Sequence, residues 1–146
     1  MIQLKPLILP GTGVFSADAF EPNDTSDQPT ARGTLIGTQS VPGLTIARHP
    51  DGLFDYDWFA WTAGASGLVT ATVDTTPVSG NLEVFLFTVS GNTLVQLAGN
   101  SIAGLDPKSA SAFFLAGQVV LVEVKGLNSS FGVMEQGAYD LTVTLS

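Results

Sequence analysis

Two stretches of the 146-residue chain concentrate oxygen-bearing side chains. Asp18, Glu21, Asp24 and Asp27 fall in the first, Asp51, Asp55 and Asp57 in the second, and together they make up seven of the 13 acidic residues. Carboxylates spaced in this way suit a hard cation. Calcium takes about 6–8 oxygens at roughly 2.3–2.6 Å, drawn from carboxylates, amide carbonyls and the main chain. Glu21-Pro22-Asn23-Asp24 offers three oxygen-bearing side chains on a backbone stiffened by Pro22. Asp55 and Asp57 point to one side if their segment is a strand. The pattern is not that of an EF-hand, which needs aspartates at alternate positions, a central glycine and a distal glutamate. The same residues also serve as turn caps and as a solvated surface, and spacing alone leaves both roles open.

Other chemistries find less support. The single histidine, His49, stands beside Pro50 and Asp51, but the chain has no Gly-x-Ser-x-Gly elbow to supply a nucleophile. Ser66, within Gly64-Ala65-Ser66-Gly67, reads as a turn residue. Gly11-Thr12-Gly13 lacks the third glycine and following helix of a nucleotide-binding loop. A carboxylate pair could hydrolyse glycosides at a separation of about 5–10 Å, but no cleft residues accompany one. Trp58 and Trp61 face opposite sides of a strand, so one is core; for the other a structural role is favoured over stacking on a sugar or partner. Asn23-Asp24-Thr25 and Asn128-Ser129-Ser130 match glycosylation sequons. The chain is expected not to be an enzyme.

Strands must position these groups. Val69, Ala71 and Val73 alternate with Thr70, Thr72 and Asp74, and Tyr139, Leu141, Val143 and Leu145 repeat the pattern. Val119 to Lys125 alternates likewise, and Leu82 to Phe87 is apolar on both sides after Glu83, as a central strand would be. Ser90-Gly91-Asn92 separates Phe87-Thr88-Val89 from Thr93-Leu94-Val95 as a hairpin turn. Further strands are expected at 33–36, 44–47, 56–62 and 111–115. Asp106-Pro107-Lys108-Ser109 has the cap and first-turn proline of a single helical turn. Eight or nine short strands with turns between them indicate one antiparallel β-sandwich over residues 18–146.

Composition agrees with that fold and excludes some partners. Hydrophobic residues make up 45% and charged residues only 12%, against a usual ~25% charged. The net charge of −8 denies nucleic acid its electrostatic footprint and disfavours an anionic membrane surface. No apolar run reaches the ~18 residues of a membrane helix, so no membrane insertion is expected. The absence of cysteine removes disulfides, zinc–cysteine sites and thiol chemistry. Residues 1–17 form a separate apolar leader. Ala17-Asp18-Ala19 mimics a signal cleavage site, but Pro6, Pro10, Gly11 and Gly13 interrupt the apolar stretch, so it reads as part of the working protein.

Asp18-x-Phe20-Glu21-Pro22-Asn23-Asp24-Thr25, followed by Asp55-x-Asp57-Trp58-Phe59-x-Trp61, Gly64 and Tyr139-x-Leu141-x-Val143, resembles the bacterial pre-peptidase C-terminal domain family. The match covers about residues 18–146. The resemblance implies a jelly-roll-like β-sandwich of secreted and cell-surface proteins, often appended to peptidases. It also implies that Glu21, Asn23, Asp24, Asp55 and Asp57 match positions at which some members hold calcium. The spacing of the second carboxylate pair varies in the family, which leaves Asp55 less secure than Asp57. Collagen binding does not carry over, since those modules use a tyrosine-rich strand and this chain has only Tyr56 and Tyr139.

Two functions follow as expectations, both at an extracellular or cell-surface location. In the first, the chain is a calcium-stabilised structural subunit that binds copies of itself. Ile2, Leu4, Leu7, Ile8 and Leu9 would then lie extended along a neighbour's sheet edge, with Pro6 fitting an edge or bulge. Such donation propagates as a ring or filament. The equal alternative is that the leader folds back on its own domain as a first strand. In the second, it is a binding or targeting module of a larger secreted peptidase or other hydrolase, with a polysaccharide or matrix protein as ligand.

Overall fold

The computed structural model describes residues 18–47, 55–75, 82–102, 107–126 and 137–146. The leader residues Ile2, Leu4, Leu7, Ile8 and Leu9 lie outside the described residues, as do His49, Asp51, Asp106 and Asn128.

Nine strands form two sheets, and no helix occurs among the described residues. The strands are β1 (Thr30–Leu35), β2 (Thr38–Ile46), β3 (Tyr56–Ala63), β4 (Gly67–Thr75) and β5 (Leu82–Ser90), then β6 (Thr93–Asn100), β7 (Lys108–Phe114), β8 (Val119–Gly126) and β9 (Gly137–Leu145). One sheet has the order β1-β3-β8-β5-β6 and the other β2-β9-β4-β7. Strands β2 to β9 alternate between the sheets in pairs, which is the winding of a jelly roll. The expected antiparallel order fails at one place, because β1 runs parallel to β3. After the turn at Ile36-Gly37 the chain crosses to the other sheet as β2. It returns to the first sheet beside β1 and heads the same way, as a crossover connection requires.

Period-two patterning determines what enters the core. Val69, Ala71 and Val73 of β4 lie beside Tyr139, Leu141 and Val143 of β9 on the inner face of one sheet, and share the core with Phe59 and Trp61 of β3 and Val120, Val122 and Val124 of β8 from the other. Trp61 Nε1 donates to Gln39 Oε1 at 2.9 Å, so its one polar atom is satisfied. The solvent face of the four-stranded sheet replaces charges with paired hydroxyls: Thr38 with Thr144 at 3.0 Å, and Thr70 with Ser111 and Thr72 with Ser109 at 2.8 Å. Such cross-strand pairs let a chain so poor in charge keep a polar surface.

The helical turn expected at 106–109 does not form where the structure describes it. Pro107 is a bend, and Lys108 and Ser109 already belong to β7. Pairing of Ser109 with Thr72 and of Lys108 with Val73 outweighs the local capping signal. The β5–β6 hairpin is tighter than the sequence suggested: Ser90 still pairs with Thr93, and Gly91, at φ 62°, turns the chain with Asn92.

Candidate metal centre

The acidic residues meet at the start of β3. Segment 18–24 runs beside this strand and is tied to it by its main chain, with Trp58 N donating to Asn23 O at 3.0 Å. Phe20 anchors the segment, its ring edge-on to Phe59 at 5.9 Å and the Arg32 guanidinium 5.6 Å from its centroid. Asp18 closes a local turn, its Oδ1 accepting from Phe20 N at 2.9 Å, while Oδ2 accepts from Thr45 N of β2 at 3.0 Å. The segment therefore bridges the two sheets at one end of the sandwich.

Glu21 is the shared member of two groups of carboxylates. Asp18, Glu21 and Asp57 each place an oxygen within 4.8 Å of the others, and so do Glu21, Asp24 and Asp55. Asn23, fully buried, sits among them. With its amide in one orientation, Nδ2 donates to Glu21 Oε2 and Asp57 Oδ1, both at 3.2 Å. In the other orientation Nδ2 reaches Trp58 O at 3.4 Å and the amide oxygen faces those two carboxylate oxygens. In that orientation three oxygens crowd together, and a cation between them or a proton on a carboxyl relieves the repulsion. The residues thus fit calcium by donor chemistry, since every ligand they offer is a hard oxygen.

The electrostatics point the same way. Asp57 is fully buried, and its Oδ2 accepts the Tyr139 hydroxyl at 2.5 Å. Burial pushes its pKa up to about 9; the Tyr139 hydrogen bond opposes this, and the charges of Asp18, Asp55 and Glu21 add to it. Asp55 is raised to about 7, first by burial, against the hydrogen bond its Oδ2 accepts from Ala47 N at 2.6 Å. Burial raises Glu21 as well, opposed first by the Asn23 N–H at 3.3 Å and then by a hydrogen bond with the Asp55 carboxyl.

Of the five residues expected as ligands, the structure sets Asp24 and Asp55 with Glu21 in one group and Asp57 with Glu21 in the other, with Asn23 beside Glu21 and Asp57. It adds Asp18, which the sequence placed in the cluster but not among the ligands, and Tyr139, which read only as core. Asp27 is exposed and belongs to neither group. The Asn23 sequon is buried and so closed to glycosylation in the fold. Trp58 is not an open stacking platform, because it is buried against Phe87 with ring centroids 5.1 Å apart. Ser66 Oγ accepts from Ala116 N at 2.9 Å and holds the turn in which it lies. On the outer face of the five-stranded sheet, Lys125 stands 3.8 Å from Glu83 and 3.6 Å from Glu123, above the ring of Phe85.

No family model matches the chain, and no curated protein does either. Solved structures are similar in shape. The pre-peptidase C-terminal domain of a Bacillus anthracis collagenase shares 16% identity over 80% of this chain and 96% of its own, with a TM-score of 0.48. A periplasmic inhibitor of g-type lysozyme from Aeromonas hydrophila, PliG, shares 16% over 81% and 99%, with a TM-score of 0.46. A Yersinia pseudotuberculosis-derived mitogen shares 19% over 75% and 82%, with a TM-score of 0.44. At these identities the likeness is one of fold.

Proposed function

We propose that the chain is a non-enzymatic binding or targeting module of the cell exterior, whose β-sandwich is locked by a calcium ion held by Glu21, Asn23, Asp24, Asp55 and Asp57, with Asp18 alongside. The observation that carries this reading is the position of Asn23, buried between the carboxylates of Glu21 and Asp57 at 3.2 Å from an oxygen of each. A bound calcium would neutralise carboxylates that burial otherwise disfavours as anions. The protein side of the device is mechanical. Asp18 and Asn23 already fasten segment 18–24 to β2 and β3, and a cation shared with Asp55 and Asp57 would fix that segment against both sheets. All-oxygen sites of extracellular modules bind calcium with dissociation constants of about 10⁻⁴–10⁻³ M, matched to the calcium outside cells.

Melting with calcium chloride and with chelator tests this reading. Binding to the folded form alone stabilises it by about 2.7 kcal/mol at a hundredfold excess over the dissociation constant. For a domain of this size that is a rise of roughly 5–10 °C. Glu21→Gln should abolish most of the rise. Superimposable curves for the unmodified chain would remove the metal from the proposal.

A further inference from the structure

The charged side chains of the described residues leave one end of the sandwich empty of charge. This end is built from the turns β1–β2, β3–β4, β5–β6 and β7–β8 and the last residues of β9. Strands that run toward it carry their charge at the start, as with Asp57, Glu83, Lys108 and Asp140. Strands that leave it carry theirs at the far end, as with Asp74 and Glu123. Arg32 comes nearest and is still set back from the turn by Gly33 to Leu35. Beside the exposed Thr38, Ser66, Ser90, Asn92 and Thr93 of its turns, this end exposes large apolar side chains: Ile36 at 72%, Phe113 at 62% and Leu115 at 56%, and also Leu68, Val89 and Val119.

Its backbone is already satisfied. Gly64 N donates to Leu35 O, Ala63 N to Gln118 O and Gly117 N to Ala63 O, while Leu68 and Ser146 exchange both of their main-chain bonds. Leu145 N donates to Gly37 O in the same way. A partner would therefore meet side chains on a pre-ordered frame and would pay little to order it. Exposed large apolar residues are more numerous here than elsewhere, where Leu97 and Ile102 are exposed, and such a concentration marks an interaction site.

We propose that this end is the contact surface between two copies of the chain, docked end to end. Each copy carries a net charge of −8, so surfaces that bear its carboxylates repel their own kind; this end carries no charged side chain among the described residues and combines that with large exposed apolar ones. Docking here turns the two acidic ends outward. From Asp57 to the β3–β4 turn the strand rises about 20 Å, well beyond the Debye length of about 8 Å at physiological salt. A lipid surface fits less well, because membrane-docking apolar tips draw their electrostatic share of binding from nearby Lys and Arg. The turns here carry neither. The contact is self-complementary and closes at the dimer. It does not involve the proposed calcium ligands.

Sedimentation velocity over a range of chain concentrations tests the proposal. The mass should rise from 15.2 kDa to twice that value and stop, equally in calcium and in chelator. Phe113→Lys and Leu115→Lys should each weaken association about tenfold or more, because the two-fold axis sets the new charges close together. Both substitutions lower the net charge, so general repulsion cannot account for that loss. Ile102→Lys, at an exposed position of the opposite end (61% exposed), should leave association unchanged. Circular dichroism of each variant checks the fold, and Ile36→Lys on the β1–β2 turn stands in for a variant that fails to fold. A monomer at every concentration, growth past the dimer, or association that survives these substitutions would overturn the proposal. So would binding of phosphatidylcholine vesicles by a chain that stays monomeric in solution.

Discussion

Asp57 lies out of contact with solvent, and the Tyr139 hydroxyl donates to it, so the cost of ionising it falls on the fold. An acid with a folded pKa above its unfolded value binds its proton more tightly in the folded state, and stability falls as pH rises between the two values. That window runs from 3.8 to about 7 for Asp55 and from 3.8 to about 9 for Asp57. In chelator, the melting temperature should therefore drop as pH rises through neutrality, and calcium should reverse the drop because it competes with those protons. Asp57→Asn separates the two effects. In chelator at alkaline pH the variant should melt above the unmodified chain, since it buries no charge; in calcium it should melt below. Parallel pH curves for the two proteins would show that Asp57 is not the group responsible. Tyr139→Phe removes the donor to Asp57 Oδ2 and keeps the ring in the core. It should cost about 1–3 kcal/mol, read from denaturant unfolding.

At the level of elements, β9 joins the site to the core. It pairs with β2 on one side and β4 on the other, and Tyr139 at its start reaches Asp57 across the sandwich. Its alternation gives a direct test of register. Leu141→Ala empties a fully buried position and should cost about 2–5 kcal/mol. Thr142→Ala, one residue on and facing the other way, should change stability by no more than about 0.5 kcal/mol. Equal costs at the two positions would contradict the assigned faces. The segment 18–24 has no regular structure of its own, yet its bonds to Thr45 and Trp58 hold it in place. It acts as a strap between the sheets, and it carries Asp18, Glu21 and Asp24 to Asp57 of β3 and to Asp55 just before that strand.

Over the described residues, charge is unevenly placed along the strand direction: carboxylates gather at one end, and the opposite end carries no charged side chain. Salt should expose this polarity. In chelator, added sodium chloride screens the crowded carboxylates and should raise the melting temperature. In calcium it should do so less or reverse the trend, because it also screens the attraction of the ion. A single salt response in both conditions would show that the acidic end does not limit stability.

The strand content was readable from the sequence because side-chain alternation is a local property. Val69, Ala71, Val73, Leu141 and Val143 declare their faces without reference to any neighbour. Glu21, Asn23 and Asp57 could be picked out by residue type, since few side chains offer hard oxygens at close spacing. Tertiary structure decided what local pattern could not. Nothing in residues 30–35 indicates that β1 runs parallel to β3, because direction depends on the path through the second sheet. Lys108 carries a helix-start signal that β4 overrides by pairing. Tyr139 reads as a core residue from its periodicity, and only the sandwich brings its hydroxyl onto Asp57. The pKa shifts belong to the same class: carboxylates beside Pro22 or Trp58 are ordinary acids in an open chain, and burial makes them costly to ionise once segment 18–24 folds against β3.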